Sequence, residues 1–281
     1  MGDGPDGWQT AAMSDRVTCT IEGGVADVRL NRADKRNALD GPMFVALAEM
    51  GEQLKSERAV RAVVLSGEGA SFCAGLDFGS FQQMAGADQP AGERNGNPGE
   101  LAEGRITHLG QQTAWVWQEL PVPVIAAIHG HALGGGLQIA LGADIRFCAP
   151  DAQLSVREVH WGLVPDMTGT FVLSRLVRPD IAKELVFTAK VVSGTEAHEL
   201  GLVTHLTPNP LVDAMALARD IAGRSPGAVQ GSKALLNRAP FADAATQFAD
   251  ERQVIGSLIG TPNQVEAVMA NFEKRPAQFV D

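Results

Sequence analysis

Cysteine is scarce in this 281-residue chain: only Cys19, Cys73 and Cys148 occur. They are scattered and form no C-x-x-C pair, so neither a disulfide framework nor a cysteine metal site is expected, and all three read as reduced packing residues. Long apolar runs are missing too. None approaches the roughly 20 residues that a membrane helix needs, and Met1 to Ala12 lacks the basic start and apolar centre of a secretory signal. A soluble, cytoplasmic protein with no membrane partner is therefore expected. Positive charge is in deficit, with 23 Lys and Arg against 33 Asp and Glu and a net charge of -10. That balance argues against a nucleic-acid partner, and any anionic ligand needs a local basic patch. What remains, 45% hydrophobic and 20% charged residues, is an ordinary globular composition with ample core.

Taken in order, residues 1–13, rich in Gly and Asp, read as a flexible tail. Residues 16–21 and 25–30 alternate apolar and polar side chains around Glu22-Gly23-Gly24, the pattern of a β-hairpin. Asn31 to Ala38 is a short loop carrying Arg32, Lys35 and Arg36. Asp40 or Gly41 then starts a helix with Phe44, Leu47, Met50 and Leu54 on one face. Residues 60–65 and 123–128 are apolar and β-branched enough for buried strands. Between them, Phe81 to Glu100 is crowded with Gly, Pro, Asn and Gln and reads as a long loop, and Leu101 to Leu120 recovers a helical pattern. Short strands are expected at 144–148 and 153–156, and helices at 167–177, 181–188 and 196–200. From Leu211 onward the chain reads as helical throughout. Strands interleaved with helices predict an α/β core over residues 14–206 and a helical region over 207–281.

The chain is organised around Ile128-His129-Gly130-His131-Ala132-Leu133-Gly134-Gly135-Gly136-Leu137-Gln138, a glycine-rich joint between a strand and a helix. It fits neither G-x-G-x-x-G nor the phosphate loop G-x-x-x-x-G-K-[ST], which sets nucleotide phosphates aside. Two uses remain. The glycines either let helix and sheet pack closely, or bare N–H groups where the helix begins so that they face an oxygen that becomes charged during a reaction.

Three segments read together carry a resemblance. Ser71-Phe72-Cys73-Ala74-Gly75-Leu76-Asp77, the Gly130 to Gln138 turn with Ala143-Asp144, and Glu158-Val159-His160-Trp161-Gly162-Leu163-Val164-Pro165 resemble the enoyl-CoA hydratase/isomerase (crotonase) family. The likeness runs from about residue 16 to 279. It implies a spiral of ββα repeats with C-terminal helices that build a homotrimer or a dimer of trimers. It also implies acyl-CoA thioester substrates and no metal or redox cofactor, coenzyme A being part of the substrate. Carried over residue by residue, the oxyanion donors are the backbone N–H groups of Leu76 and Gly135. Lys35 or Arg36 faces the coenzyme phosphates, the Ala74 segment resembles the part that holds adenine, and Asp77, Gln138 and Trp161 belong to the substrate-binding surroundings.

The acids decide the reaction. A typical hydratase has Glu where this chain has Gln138, and Gln cannot exchange protons at neutral pH, so half of the pair that handles water is absent. The other hydratase glutamate matches Glu158. Eight residues on stands Asp166, where typical hydratases have no acid. Segments 156–166, 184–190 and 225–233 look most like the dienoyl-CoA isomerase branch, which pairs acids at these two positions, although it has Asp where Gln138 stands. That likeness implies that Asp166 removes a proton from C2 of a 3,5-dienoyl-CoA while Glu158 delivers one to C6. Each acid also has a plainer use: Asp166 as a helix N-cap, Glu158 as the partner of Arg157 or Arg175. His129 and His131 form an H-x-H with no third ligand nearby, so no metal site is expected. Trp161 and the Trp115/Trp117 pair read as packing or acyl-pocket wall, and Cys73 as buried filler. Competing readings are a single-acid 3-enoyl to 2-enoyl isomerase or hydratase using Glu158 alone, an enzyme using Asp166 as a nucleophile, and an acyl-CoA-binding protein without chemistry.

Overall fold

The computed structural model describes residues 15–77, 79, 101 and 104–280. The expected tail and the Phe81 to Glu100 loop lie outside the described residues. Strands β1 (Val17–Glu22) and β2 (Val25–Leu30) form the expected hairpin, in register from Val17 with Leu30 to Glu22 with Val25. Gly23 and Gly24 both take positive φ between them, as the favoured two-residue hairpin turn requires. Onto β2 are added β3 (Ala62–Gly67) and β4 (Val124–Ile128), each parallel to its neighbour. Both are almost wholly buried, as parallel strands covered on two faces must be.

A second, smaller layer begins with β5 (His131–Leu133). The large sheet continues through β6 (Ile145–Cys148), the small one through β7 (Gln153–Ser155) and β8 (Val192–Ser193), and β9 (His205–Leu206) closes the large one. Parallel bridges from Leu39 to Leu76 and from Cys73 to Ala132 extend the small layer. The chain thus repeats one course: a strand in the large sheet, an extended step on the small layer, then a helix. It runs β2, Leu39, α1 (Gly41–Ser56), and again β4, β5, α3 (Gly135–Leu141), with α2 (Leu109–Glu119) packed against α1. This is the ββα spiral that the resemblance implies.

Local chemistry sets the helix ends. Asp40 caps α1 by accepting from the Met43 N–H at 3.0 Å. Helix α2 starts at Leu109, later than the expected 101. Leu101 pairs with His108 in an antiparallel bridge, Gly104 has φ 72°, and His108 and Gln111 then form a reciprocal cap. Helix α4 (Gly169–Leu176) likewise starts two residues late, because Thr168 before it is left-handed with φ 69°. There follow α5 (Pro179–Thr188), α6 (Gly194–Glu199) and α7 (Pro210–Ala222). Ala214, Ala218 and Ala222 of α7, spaced four apart, bring that helix down onto Val25, Ala62, Val64, Ile125 and Ala127.

Helix α8 (Pro226–Arg238) is pinned by Lys233, whose Nζ donates to the Trp117 and Val122 carbonyls at 3.1 and 2.9 Å and pairs with Asp144 at 2.8 Å. Helices α9 (Ala244–Leu258) and α10 (Pro262–Glu273) expose Phe248, Ile255, Val268 and Phe272. Among the described residues no helix is long and apolar enough to cross a membrane.

Candidate active site

Two glycine joints interlock at backbone distance. A Cβ on Gly130 would lie 2.0 Å from the Ala70 carbonyl oxygen, one on Gly136 would lie 2.4 Å from that of Cys73, and one on Gly75 would lie 2.6 Å from that of Leu133. Close packing is therefore one of the uses of these glycines. The expected donors lie beside these contacts. Leu39 donates to the Gly75 carbonyl at 2.8 Å and accepts from the Asp77 N–H at 2.9 Å. A ladder that uses the residues on either side of Leu76 turns the Leu76 N–H to the opposite side, where no acceptor stands among the described residues.

In α3 the Gln138 N–H is bonded to the Gly134 carbonyl at 3.0 Å. The N–H of Gly135 precedes that ladder and has no acceptor among the described residues. The Gly135 Cα faces Leu39, whose Cδ1 would be 2.9 Å from an added Cβ, and Leu39 is bridged to Leu76. Leu39 thus meets both segments that carry the expected donors.

Next to them lies Glu158, at the start of a 3-10 turn (Glu158–Trp161) and only 9% exposed. Its Oε1 accepts from Gln138 Nε2 at 2.6 Å, while Oε2 is buried without a partner among the described residues. Burial raises the Glu158 pKa; its own backbone N–H and the Gln138 bond act against the rise, and the Asp166 charge adds a smaller share to it. The carboxyl group packs on the glycine turn, its Oε1 lying 3.3 Å from where a Gly134 Cβ would be.

Gln138 is 1% exposed, and its Oε1 accepts from the N–H groups of Met167 at 2.9 Å and Gly169 at 2.8 Å. Asp166 sits between the buried Pro165 and Met167 and is itself exposed. It does not cap α4: the N-cap position is Thr168, which makes no side-chain cap. Arg175 is not the partner of Glu158 either, since its guanidinium lies 3.6 Å over the Phe171 ring and 4.7 Å from that of Phe241.

The basic loop meets the segment from Ser71 to Asp77 through its backbone. The Ala74 N–H donates to the Arg36 carbonyl at 2.9 Å, and the side chains of Lys35 and Arg36 are exposed. Asp77 is tied to Arg32 at 2.7 Å, which holds its carboxyl below the usual range, and the Gly79 N–H adds to this. Arg32 also reaches Asp40 at 3.5 Å and the Ala38 carbonyl at 3.0 Å, so it braces the loop.

Sequence reasoning missed Asn37. Fully buried with φ 57°, it donates to the carbonyls of Ser71 at 2.7 Å and Glu68 at 2.9 Å and accepts from the Arg32 N–H at 2.8 Å. An Asn inside a polar turn, tolerant of left-handed φ, was the available signal. Trp161 is 42% exposed and stands edge-on to His160 at 5.0 Å. Burial pushes the Cys73 thiol up to about 12, which leaves it no thiolate at neutral pH. His131 Nδ1 meets Ser71 Oγ at 2.9 Å and His129 Nε2 meets the Gly69 carbonyl at 3.0 Å, and no metal-binding cluster occurs among the described residues. A cavity of about 1020 Å³, lined by Trp115, Leu141, Phe171, Arg175 and Phe241, lies beyond the C-terminal end of α3; neither Glu158 nor Gln138 lines it.

A family model described as enoyl-CoA hydratase/isomerase matches residues 20–281. Enoyl-CoA hydratase domain-containing protein 2, mitochondrial, of Homo sapiens is 36% identical over 264 residues, covering 92% of this chain and 86% of that protein. Delta(3,5)-Delta(2,4)-dienoyl-CoA isomerase, mitochondrial, of Rattus norvegicus is 34% identical over 262 residues, covering 91% and 79%. The crystal structure of enoyl-CoA hydratase from Bacillus anthracis superposes with a TM-score of 0.81 at 31% identity, covering 94% of this chain and 98% of that one.

Proposed function

The chain belongs to the enoyl-CoA hydratase/isomerase family, and from that premise we propose that it moves double bonds in unsaturated acyl-CoA thioesters, converting a 3,5-dienoyl-CoA to the 2,4-dienoyl-CoA. The thioester carbonyl lodges between the N–H groups of Leu76 and Gly135. Asp166 takes a proton from C2, and the electron pair spreads into a conjugated enolate whose oxygen those donors stabilise. Glu158 then gives a proton to C6, so one proton leaves the acyl chain and one enters. Burial, which favours the neutral acid, suits Glu158 to the donor's part. Exposed Asp166 is free to return its proton to water.

One observation carries the reading. The group on Glu158 Oε1 is the Gln138 amide, where a second acid would be needed to share a water with it. The similarity to a short-chain-enoyl-CoA hydratase and to a dienoyl-CoA isomerase is of nearly the same degree, so identity does not choose between them. The exposure of Asp166 favours a second reading, a 3-enoyl to 2-enoyl isomerase in which Glu158 both takes and returns the proton. Purified protein offered 2-enoyl, 3-enoyl and 3,5-dienoyl thioesters separates these. The dienoyl ester is expected to turn over fastest, and Asp166→Asn to slow it by about 10²- to 10⁴-fold. Dienoyl turnover indifferent to that change would remove the two-acid mechanism. Exposed Phe248, Ile255, Val268 and Phe272 further support assembly into a trimer or a dimer of trimers, to be read by light scattering.

A further inference from the structure

Gln138 enters the family reading only as the place where an acid is missing, yet it makes three hydrogen bonds at the centre of the site. Its Oε1 accepts from two backbone N–H groups, Met167 at 2.9 Å and Gly169 at 2.8 Å. Backbone N–H can only donate, so the amide is locked with its oxygen toward α4 and its NH₂ toward Glu158. Turning it over would set NH₂ against two buried donors. The NH₂ in turn can only donate, so Glu158 Oε1, 2.6 Å away, is an acceptor whether the acid is charged or neutral. When Glu158 is neutral, the carbonyl oxygen, the stronger acceptor of the two, is favoured at Oε1 and the hydrogen on the other oxygen. That oxygen, Oε2, is buried and has no partner among the described residues.

We propose that Gln138 is a positioning residue that reserves Oε2 of Glu158 as the proton-carrying atom, and that the same amide, by holding Met167 and Gly169, fixes where the intervening loop sets Asp166. The inference rests on Glu158 being the proton carrier of the reading above. It adds which atom carries the proton and which residue decides that. Gly169 belongs to the device, since a Cβ there would lie 2.5 Å from Gln138 Oε1. Among the described residues the charge acting on Glu158 is that of Asp166; Arg157 and His160 on its own turn, and Asp180, Lys183 and Glu184 on α5 packed against it, exert no comparable effect.

The first test needs no variant and no substrate. In crystals of the wild-type protein grown at a pH where Glu158 is neutral, unrestrained bond lengths at atomic resolution should show the longer, hydroxyl-type C–O bond at Oε2. A longer bond at Oε1, or two equal bonds, overturns the inference whatever reaction the protein catalyses. The second test is Gln138→Glu. One new oxygen can keep the Met167 and Gly169 bonds, but the other then faces Glu158 Oε1 at hydrogen-bond distance, and two oxygens there must share a proton. The proton moves to the Oε1 side and Oε2 is left as an acceptor.

Turnover of the dienoyl ester should fall about 100-fold or more. Independently of substrate, the pH dependence of Tm should move. A buried acid with a raised pKa gives stability that is present below its unfolded value and lost as pH rises through its folded one. In the Gln138→Glu protein that loss should continue to higher pH than in the wild type, because the pair holds its shared proton longer. Superimposable Tm–pH curves overturn the inference. Wild-type protein that leaves the dienoyl ester unchanged but shows the long bond at Oε2 would instead remove the isomerase reading and keep the atom assignment.

Discussion

Replacing Gly169 by Ala tests whether the Gln138 clamp is as tight as its distances suggest. Gly169 opens α4 without a positive φ, so the backbone itself raises no objection to alanine. The methyl group does, because it would lie 2.5 Å from Gln138 Oε1 and 2.9 Å from both Cδ and Cγ. Ordinary contact requires the amide oxygen to retreat by about 1 Å, which carries bonds now at 2.9 and 2.8 Å past hydrogen-bonding range. Overpacking a buried site costs about 1–3 kcal/mol. Buried donors left without an acceptor add about 1–3 kcal/mol. The sum, roughly 2–6 kcal/mol, lowers Tm by roughly 3–10 °C in a chain of this size. Gly256→Ala is the control: it lies inside α9 with nothing within 4 Å of an added Cβ, and should gain about 0.5–1 kcal/mol from helix propensity. Circular-dichroism melts of the three proteins, with initial rates on the dienoyl ester, give the comparison. A Gly169→Ala protein that melts with the wild type and turns over at full rate would refute the clamp.

Arg32→Ala should lower Tm at pH 7 by releasing Asp77, Asp40 and the Ala38 carbonyl together. Because Arg32 depresses the Asp77 pKa, that contribution is present above the ordinary aspartate value of about 3.9 and lost as pH falls through the folded one. The gap in Tm between the two proteins should therefore narrow in acid, and a gap unchanged at pH 3 would contradict the assignment. The double change Lys35→Ala and Arg36→Ala should raise KM for a coenzyme A thioester several-fold with kcat retained, and added salt should blunt the difference. An unchanged KM at low salt would take the coenzyme phosphates away from this loop. Cys73, with its thiol at about 12, should resist iodoacetamide at neutral pH in the folded protein, as peptide mass mapping would reveal.

Elements governed by neighbours in sequence were legible in the chain. The hairpin around Gly23-Gly24, the Asp40-capped helix and the apolar strands each declare themselves within a few residues, and the glycine joint stood out as the organising turn. Contacts decided at a distance were not. Gln138 reads locally as an acid replaced by an amide, but its role comes from Glu158, Met167 and Gly169, which lie 20, 29 and 31 residues further along. Arg32 reads as one of three cations in a basic loop, and only the fold sets it against Asp77, 45 residues away. The late start of α2 has the same origin: the pattern over 101–108 is compatible with a helix until the pairing of Leu101 with His108 claims that backbone.

The most direct measurement is turnover of a 3,5-dienoyl-CoA in D₂O, followed by NMR and mass spectrometry of the product. Two separate acids moving a proton from C2 to C6 predict a 2,4-dienoyl-CoA that carries one solvent deuteron at C6. A 3-hydroxyacyl product, or a conjugated product without deuterium at C6, would contradict the account.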